Sequence, residues 1–301
     1  MDIAVTGSTG LIGSALSTAL AAAGHRVVRI VRGTPAGPDE IAWEPTEGRL
    51  DAADLDGLDA VVHLAGEGIA EKRWTAAQKD RILTSRTLGT DLLARRIADA
   101  SDGPRVLLSG SAIGWYGDRG DEVLTEASGP GTGFLADVCR QWEAATGPAS
   151  DAGARVVHLR TGIVLDPQGG VLAKQLPLFR IGLGGRIGGG HQYMSWIAID
   201  DEVGAIQHLL DQDVEGPVNL TAPKPVTNRE FTKALGESLH RPALLPVPGF
   251  GPKLLFGGDL VDELLLASQR VLPERLVASG FTPAHDELGP YLETLLARTE
   301  G

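Results

Sequence analysis

The sequence predicts an α/β chain: a doubly wound parallel sheet followed by a smaller mixed α/β lobe toward the C-terminal end. Three observations predict it. The chain opens on an apolar strand, a glycine turn and an amphipathic helix within residues 3–24. Short β-type runs then alternate with helical runs as far as residue 159, the rhythm of parallel strands joined by crossover helices. Past residue 165 that rhythm gives way to a glycine-rich stretch and short Leu-rich segments.

The opening is the most informative stretch. Ile3, Ala4 and Val5 read as a buried strand, and Leu11, Ile12, Ala15, Leu16, Ala19, Leu20 and Ala23 repeat at helical spacing until Gly24 ends the run. A helix that starts straight after a strand and a glycine turn presents unpaired backbone N–H groups and the positive end of its dipole, which together hold a phosphate. Gly7 allows the sharp turn, Gly10 lets backbone approach a pyrophosphate, and Gly13 lets helix pack on strand. Ser8 and Thr9 add hydroxyls, and the amides of Leu11 and Ile12 complete the expected cradle. A glycine-rich turn ahead of an ordinary helix is the plainer alternative; the flanking strand and long helix favour a dinucleotide.

The remaining elements follow in order. Residues 26–31 form the second strand, closed by Arg32 and Gly33, where an NAD site would usually place an acid for the ribose. Arg32 can instead clamp a 2′-phosphate, so the expected cofactor is NADP (NADPH), with a solvated strand-end arginine as the alternative. Residues 40–43 and 59–64 are the third and fourth strands, the latter ending in Leu64, Ala65 and Gly66, where backbone passes close to a cofactor ribose. A helix over 74–100 and a strand over 105–108 follow, and Ser109 to Gly117 reads as a polar loop over the cofactor. One helix over 135–152 and a strand over 155–159 complete the unit, with Ser109 and Arg160 at strand ends counted among the cofactor contacts.

Beyond it, residues 169–190 read as a helix bearing Leu172, Leu176, Leu178 and Phe179 and a flexible excursion from the sheet. Residues 194–199 return to strand, Asp200 and Asp201 cap a helix over 202–210, and 216–220 is an edge strand. Thr227 and Asn228 start a helix carrying Phe231, Leu235 and Leu239, and 243–247 is strand-like. The expected division is a nucleotide-binding domain over 1–165, to which 194–222 returns, and a substrate lobe from 166–193 and 223–301.

Composition bounds the function. Hydrophobic residues make up 43% of the chain, enough for a sizeable core, and a net charge of −12 argues against nucleic acid as a partner. The single cysteine, Cys139, excludes an internal disulfide and reads as core packing. Seven histidines are dispersed without metal-ligand spacing, so no metal is expected, and His63 reads as a satisfied core residue. No apolar run reaches the ~20 residues that span a bilayer. The expectation is a cytoplasmic protein, monomer or homodimer, acting on a small molecule.

Thr6-Gly7-Ser8-Thr9-Gly10-Leu11-Ile12-Gly13 resembles the glycine motif of the extended short-chain dehydrogenase/reductase superfamily. His63-Leu64-Ala65-Gly66, Lys72-Arg73-Trp74, Ser85-Arg86, Ser111 to Gly117, Trp142-Glu143, Gly182-Leu183-Gly184-Gly185 and Gln192 to Ile197 narrow the likeness. So do Asp200-Asp201, Asn219 to Pro223 and Arg241 to Pro248, and together they resemble an atypical group of that superfamily labelled "epimerase family protein". The resemblance implies an NADP-binding Rossmann domain with a small substrate lobe. It also implies a serine that orients substrate, matched by Ser111, and a Tyr-x-x-x-Lys pair, which is missing. Gly120, Ile197 and Leu295 stand four places after the three tyrosines, Tyr116, Tyr193 and Tyr291. Tyr116 on the Ser111 loop is therefore the candidate acid/base, with Lys72 and Tyr193 behind it. An enzyme on a small polar substrate, and a cofactor-binding sensor with little turnover, both fit these residues. Lys72-Arg73-Trp74 reads as a substrate-phosphate contact or a solvated turn around a packed tryptophan. Trp115, Tyr193, Met194 and Trp196 line a pocket or form the seam between lobes.

Overall fold

The computed structural model describes residues 1–243, 246–247, 253 and 257–298. In chain order the elements are β1 (Asp2–Thr6), α1 (Leu11–Ala22), β2 (Arg26–Arg32), β3 (Glu40–Trp43), β4 (Ala60–His63), α2 (Ala76–Asp99) and β5 (Val106–Ala112). Next come β6 (Val123–Leu124), α3 (Phe134–Ala144), α4 (Gly147–Asp151), β7 (Arg155–Thr161), β8 (Ile163–Asp166) and α5 (Gly170–Arg180). Then follow β9 (Tyr193–Met194), β10 (Trp196–Ala198), α6 (Ile199–Asp211), β11 (Gly216–Leu220), β12 (Val226–Thr227), α7 (Asn228–Ser238) and β13 (Arg270–Val271). Helices Glu274–Ala278 and Leu288–Ala297 end the described chain.

Seven parallel strands form the main sheet in the order β11-β7-β5-β4-β1-β2-β3. Its central strands are apolar on both faces because both faces are covered. On one face Leu16 and Leu20 of α1 and Val203, Ile206 and Leu209 of α6 pack over Ile3, Val5 and Val62. On the other, Leu92, Leu93 and Ile97 of α2 pack over Ala4, Val61 and Leu107. The order reverses between β4 and β1, and ligands of such sheets bind at that crevice beyond the strand ends.

The second lobe has its own core. Leu172, Leu176 and Phe179 of α5 meet Trp196, Phe231, Leu235, Tyr291 and Leu292. A capping box fixes the start of α7: Thr227 accepts the Glu230 N–H, and the Glu230 carboxylate accepts the Thr227 N–H.

Several expectations change. The Ser109–Ala112 stretch is not loop but the end of β5, paired with β7 as far as Thr161. The helix over 135–152 is two helices, because Gly147 and Pro148 interrupt it and Pro148 starts the second. Strand β10 does not rejoin the main sheet; it pairs with β8. Its alternation explains the placement: Trp196 and Ala198 face the lobe core, while Ile197 joins the main core. Asp200 and Asp201 lie inside the first turn of α6 and do not cap it; the Asp201 carboxylate accepts the N–H groups of Ala284 and His285 and so ties down the tail. Leu178 is 51% exposed, whereas Leu172, Leu176 and Phe179 are buried as expected. The strand read over 243–247 includes Leu244 and Leu245, which lie outside the described residues, as does Pro248. Among the described residues no helix is long and apolar enough to cross a membrane.

Candidate dinucleotide and active site

The glycine loop is built so that only glycine fits at two of its three positions. Gly7 has a φ of +66°, and a β-carbon there would lie 2.8 Å from the Leu64 carbonyl carbon. A β-carbon on Gly13 would lie 2.2 Å from the Gly7 carbonyl oxygen. Gly10 differs: its added carbon would meet only the Gly7 oxygen, at 3.3 Å, so space for a side chain exists until a ligand fills it. Gly10 is the N-cap of α1 and carries no side-chain cap, and the first helical bond runs from Ser14 N–H to Gly10. The amides of Leu11, Ile12 and Gly13 therefore start the helix without backbone partners, the arrangement that accepts a pyrophosphate.

Thr6 locks this loop against the end of β4. Its hydroxyl oxygen accepts the N–H groups of Leu64 and Ala65, each at 3.1 Å, and lies 2.7 Å from His63 Nδ1. With both amides accepted, the hydroxyl donates to Nδ1, which puts the imidazole proton on Nε2. That nitrogen is buried with no partner, so His63 is only half satisfied; burial, with a smaller push from Arg86, lowers its pKa to about 3.

On the adenosine side, Arg32 ends β2 and is exposed. Glu44, within its electrostatic reach, is occupied by Thr46, whose hydrogen bonds hold the carboxylate below its ordinary range. Over the loop, Gly169 at the start of α5 packs on the Leu11 side chain, and Lys174 donates to the Ala70 carbonyl at 2.9 Å. Helix α5 thus straps the first turn of α1 to the loop after β4.

Across the sheet lies a second polar cluster, closed on itself. Glu143 of α3 accepts Arg160 Nε at 2.8 Å and Nη2 at 2.9 Å, and Ser111 Oγ at 2.6 Å. Arg160 Nη1 donates to the Tyr116 hydroxyl at 3.1 Å, which donates to Asn219 Oδ1 at 2.7 Å. Asn219 then donates to the Leu272 carbonyl, and its N–H goes to Glu126. The guanidinium stacks 3.9 Å from the Trp115 ring centroid. Burial alone would lower the Arg160 pKa, but the bonds to Glu143 carry it above its ordinary value.

This cluster corrects three assignments. Tyr116 is 0% exposed, burial pushes its phenol up, and both hydrogen-bonding directions are used, so it is a structural link rather than an acid/base. Arg160 is 2% exposed and spent on Glu143 and Tyr116, so it does not reach for a cofactor. Ser109 is fully buried and donates weakly to the Gly110 carbonyl at 3.4 Å. Ser111 gives its proton to Glu143, which leaves its oxygen lone pairs as acceptors.

The other candidates separate cleanly. Trp74 is packed, donating to the Ile69 carbonyl at 2.7 Å, while Lys72 is 62% exposed and 3.6 Å from Glu67, as a solvated turn would have it. Met194 and Trp196 belong to the lobe core; Tyr193 lies under Arg270, whose guanidinium carbon is 5.0 Å from the ring centroid. Cys139 is buried, and burial pushes its thiol up to about 12. Among the described residues no group of three His, Cys, Asp or Glu side chains could hold a metal.

Two residues central to this geometry had only a motif signal in the sequence. Glu143 lies within Trp142-Glu143 and Arg86 within Ser85-Arg86. Arg86 projects from α2 to within 5.0 Å of the Trp142 ring centroid, and Gly66 passes so close that a β-carbon there would lie 3.2 Å from the guanidinium carbon.

Comparison with known proteins matches this geometry. Residues 3–221 match the NAD dependent epimerase/dehydratase family, and 247–295 match a domain of unknown function, DUF1731. Epimerase family protein Mb2239 of Mycobacterium bovis is 48% identical over 291 residues, 96% of each chain. The crystal structure of human epimerase family protein SDR39U1 (isoform 2) with NADPH superposes with a TM-score of 0.90 at 35% identity, covering 99% of both chains. A nucleoside-diphosphate sugar epimerase from Corynebacterium glutamicum superposes at 0.80 with 38% identity, over 98% of this chain and 58% of that one. The chain belongs to the NAD dependent epimerase/dehydratase family.

Proposed function

We propose that this member of the family binds NADPH across the ends of β4, β1 and β2 and uses it as an oxidoreductase or epimerase-like enzyme on a small polar substrate, with sugar nucleotides the first class to test. The observation that carries the reading is the start of α1, where the Leu11, Ile12 and Gly13 amides stand free beside a loop that admits only glycine at 7 and 13. Those amides and the Ser8 and Thr9 hydroxyls would hold the pyrophosphate. Leu64, Ala65 and Gly66 would lie along a ribose, and Arg32 would take the 2′-phosphate. The NADPH in the human relative supports the same choice. NADPH supplies the hydride. The substrate oxygen needs a proton besides. With Tyr116 sealed in, Lys72 and Tyr193 are the remaining carriers, and Ser111 would orient a hydroxyl through its lone pairs. The protein would work as a monomer or homodimer in the cytoplasm, on a small molecule and not on nucleic acid.

Titration calorimetry tests the cofactor. NADPH should bind about 10- to 150-fold more tightly than NADH, the equivalent of ~1.5–3 kcal/mol for a charge-assisted contact. Arg32→Ala should remove that preference; equal affinities in the unaltered protein would end the assignment. Because no Tyr-x-x-x-Lys pair exists, incubation with NADP and UDP-glucose should give no 4-epimer by NMR. Rapid equilibration would overturn this. A second reading, binding without turnover, is favoured by the closure of the Ser111–Glu143–Arg160–Tyr116 cluster. It predicts that no carbonyl compound in a broad panel oxidises the bound NADPH.

A further inference from the structure

We infer that Arg86 contacts the nicotinamide half of the dinucleotide and biases the site toward the reduced cofactor. The inference rests on the NADPH reading above and adds a residue and a redox preference to it. Topology places the group. With the pyrophosphate at the glycine loop of β1 and the adenosine over Arg32 of β2, the nicotinamide half extends the other way, over the ends of β4 and β5. Two arginines stand near those ends: Arg160 of β7 is spent on Glu143 and Tyr116, and Arg86 of α2 keeps free donors.

Arg86 is held but not satisfied. Nη1 donates to the carbonyls of Glu67 and Ile82, both at 3.0 Å, and the plane stands over Trp142. Among the described residues Nε and Nη2 have no partner, and no carboxylate forms an ion pair with the guanidinium. Glu67, the nearest acid to influence it, gives its carboxylate to Gln78 at 3.3 Å and to Lys72 at 3.6 Å. Cys139, the other neighbour, is a buried neutral thiol. Arg155, also half-buried and without an acid, spends both Nη1 and Nη2 on the carbonyls of Leu209, Leu210 and Val214, whereas Arg86 spends Nη1 alone. Guanidinium stays charged even here.

Two consequences follow from that charge. The free N–H edge suits an oxygen, as in a ribose hydroxyl or a carboxamide. The charge itself opposes the pyridinium of NADP+ and leaves the neutral dihydropyridine of NADPH untouched, and the low surrounding dielectric strengthens that difference.

Calorimetry with NADPH, NADP+ and adenosine 2′,5′-bisphosphate, which has no nicotinamide half, tests this on the full chain. Unaltered protein should bind NADPH roughly tenfold more tightly than NADP+. Arg86→Met should bring that ratio close to one and weaken NADPH while leaving adenosine 2′,5′-bisphosphate unchanged. Arg86→Lys, which keeps the charge, should keep most of the ratio. An unchanged ratio in Arg86→Met would overturn the inference. So would a parallel loss of the adenosine fragment, which would make Arg86 a structural prop. Failure of the unaltered protein to bind NADPH at all would instead remove the cofactor reading beneath it.

Discussion

Two polar regions occupy the carboxyl ends of one sheet, and they differ in how far their groups are satisfied. In the Ser111–Glu143–Arg160–Tyr116–Asn219 cluster nearly every donor and acceptor meets another protein group, and water has almost no access. At the start of α1 and around Arg86, amide and guanidinium donors have no partner among the described residues. Residue type does not separate the two, since both contain serine and arginine. Saturation does: the closed cluster spends its donors and acceptors on joining elements of the fold, and the open one keeps donors that the proposed NADPH would use.

The largest test breaks the closed side. Glu143→Leu strands the Arg160 charge in the core and should cost about 3–5 kcal/mol in chemical denaturation, the range for a buried ion pair that loses one partner. Less than about 1 kcal/mol would mean that the cluster is not what holds these elements together. The opposite substitution is Gly10→Val. It should lower NADPH affinity roughly 100-fold, equivalent to ~2.7 kcal/mol, with little change in stability, because the pocket it fills is empty of protein. Gly13→Val should lose both binding and fold, since its β-carbon would collide with Gly7.

Glu202 sharpens the contrast because it is half satisfied. Oε1 accepts the Thr161 hydroxyl at 2.8 Å, Oε2 has no partner among the described residues, and burial raises the pKa to about 8. The folded protein then holds a proton that the unfolded chain releases above its ordinary value of 4.5, so this contribution to stability falls as pH rises toward about 8. His63 works the other way: its folded value of about 3 against 6.5 unfolded removes stability as pH falls below 6.5. The two oppose each other between 4.5 and 6.5, and Glu202 acts alone above that. Stability should drop by up to ~2 kcal/mol between pH 6.5 and 8, and Glu202→Gln should flatten the drop. A flat profile in the unaltered protein would contradict it.

The smallest effect belongs to Tyr116→Phe. It removes the two hydrogen bonds of the Tyr116 hydroxyl, to Arg160 and Asn219, and should cost about 1–2 kcal/mol, with no effect on NADPH affinity or on any turnover that is found. A large loss of rate at unchanged stability would return Tyr116 to the chemistry.

The open region was legible in the sequence because its signal is local. Strand β1, the three glycines and α1 are consecutive, β3 matches residue for residue, and α7 starts at the Thr227-Asn228 pair read for it. The closed region was not legible, because its pairs come from separate elements. Nothing near Arg160 indicates that it meets Glu143 on α3, or that Tyr116 meets Asn219 on β11. Ser109-Gly110-Ser111-Ala112 read as a loop because small polar residues favour turns. In the fold Trp142 packs over Gly110, whose β-carbon would lie 2.8 Å from the indole, and that cover keeps the stretch in the sheet. The break between α3 and α4 falls at Gly147-Pro148, a breaker that the single helix read over 135–152 passes straight through.

Helix α5, seated on Leu11 at its N-terminal end and tied about one turn later through Lys174 to Ala70, would bear on how long the proposed dinucleotide stays. A nucleotide bound as proposed beneath it would leave only when that bridge opens, and its residence time would then depend on the opening of the helix as well as on affinity. When residence outlasts a catalytic cycle, the nucleotide behaves as a prosthetic group, and its redox state must be restored in place before the next turnover. Lys174→Ala should speed the release of NADPH in a stopped-flow chase by several-fold, and an unchanged release rate would show that the helix is no gate.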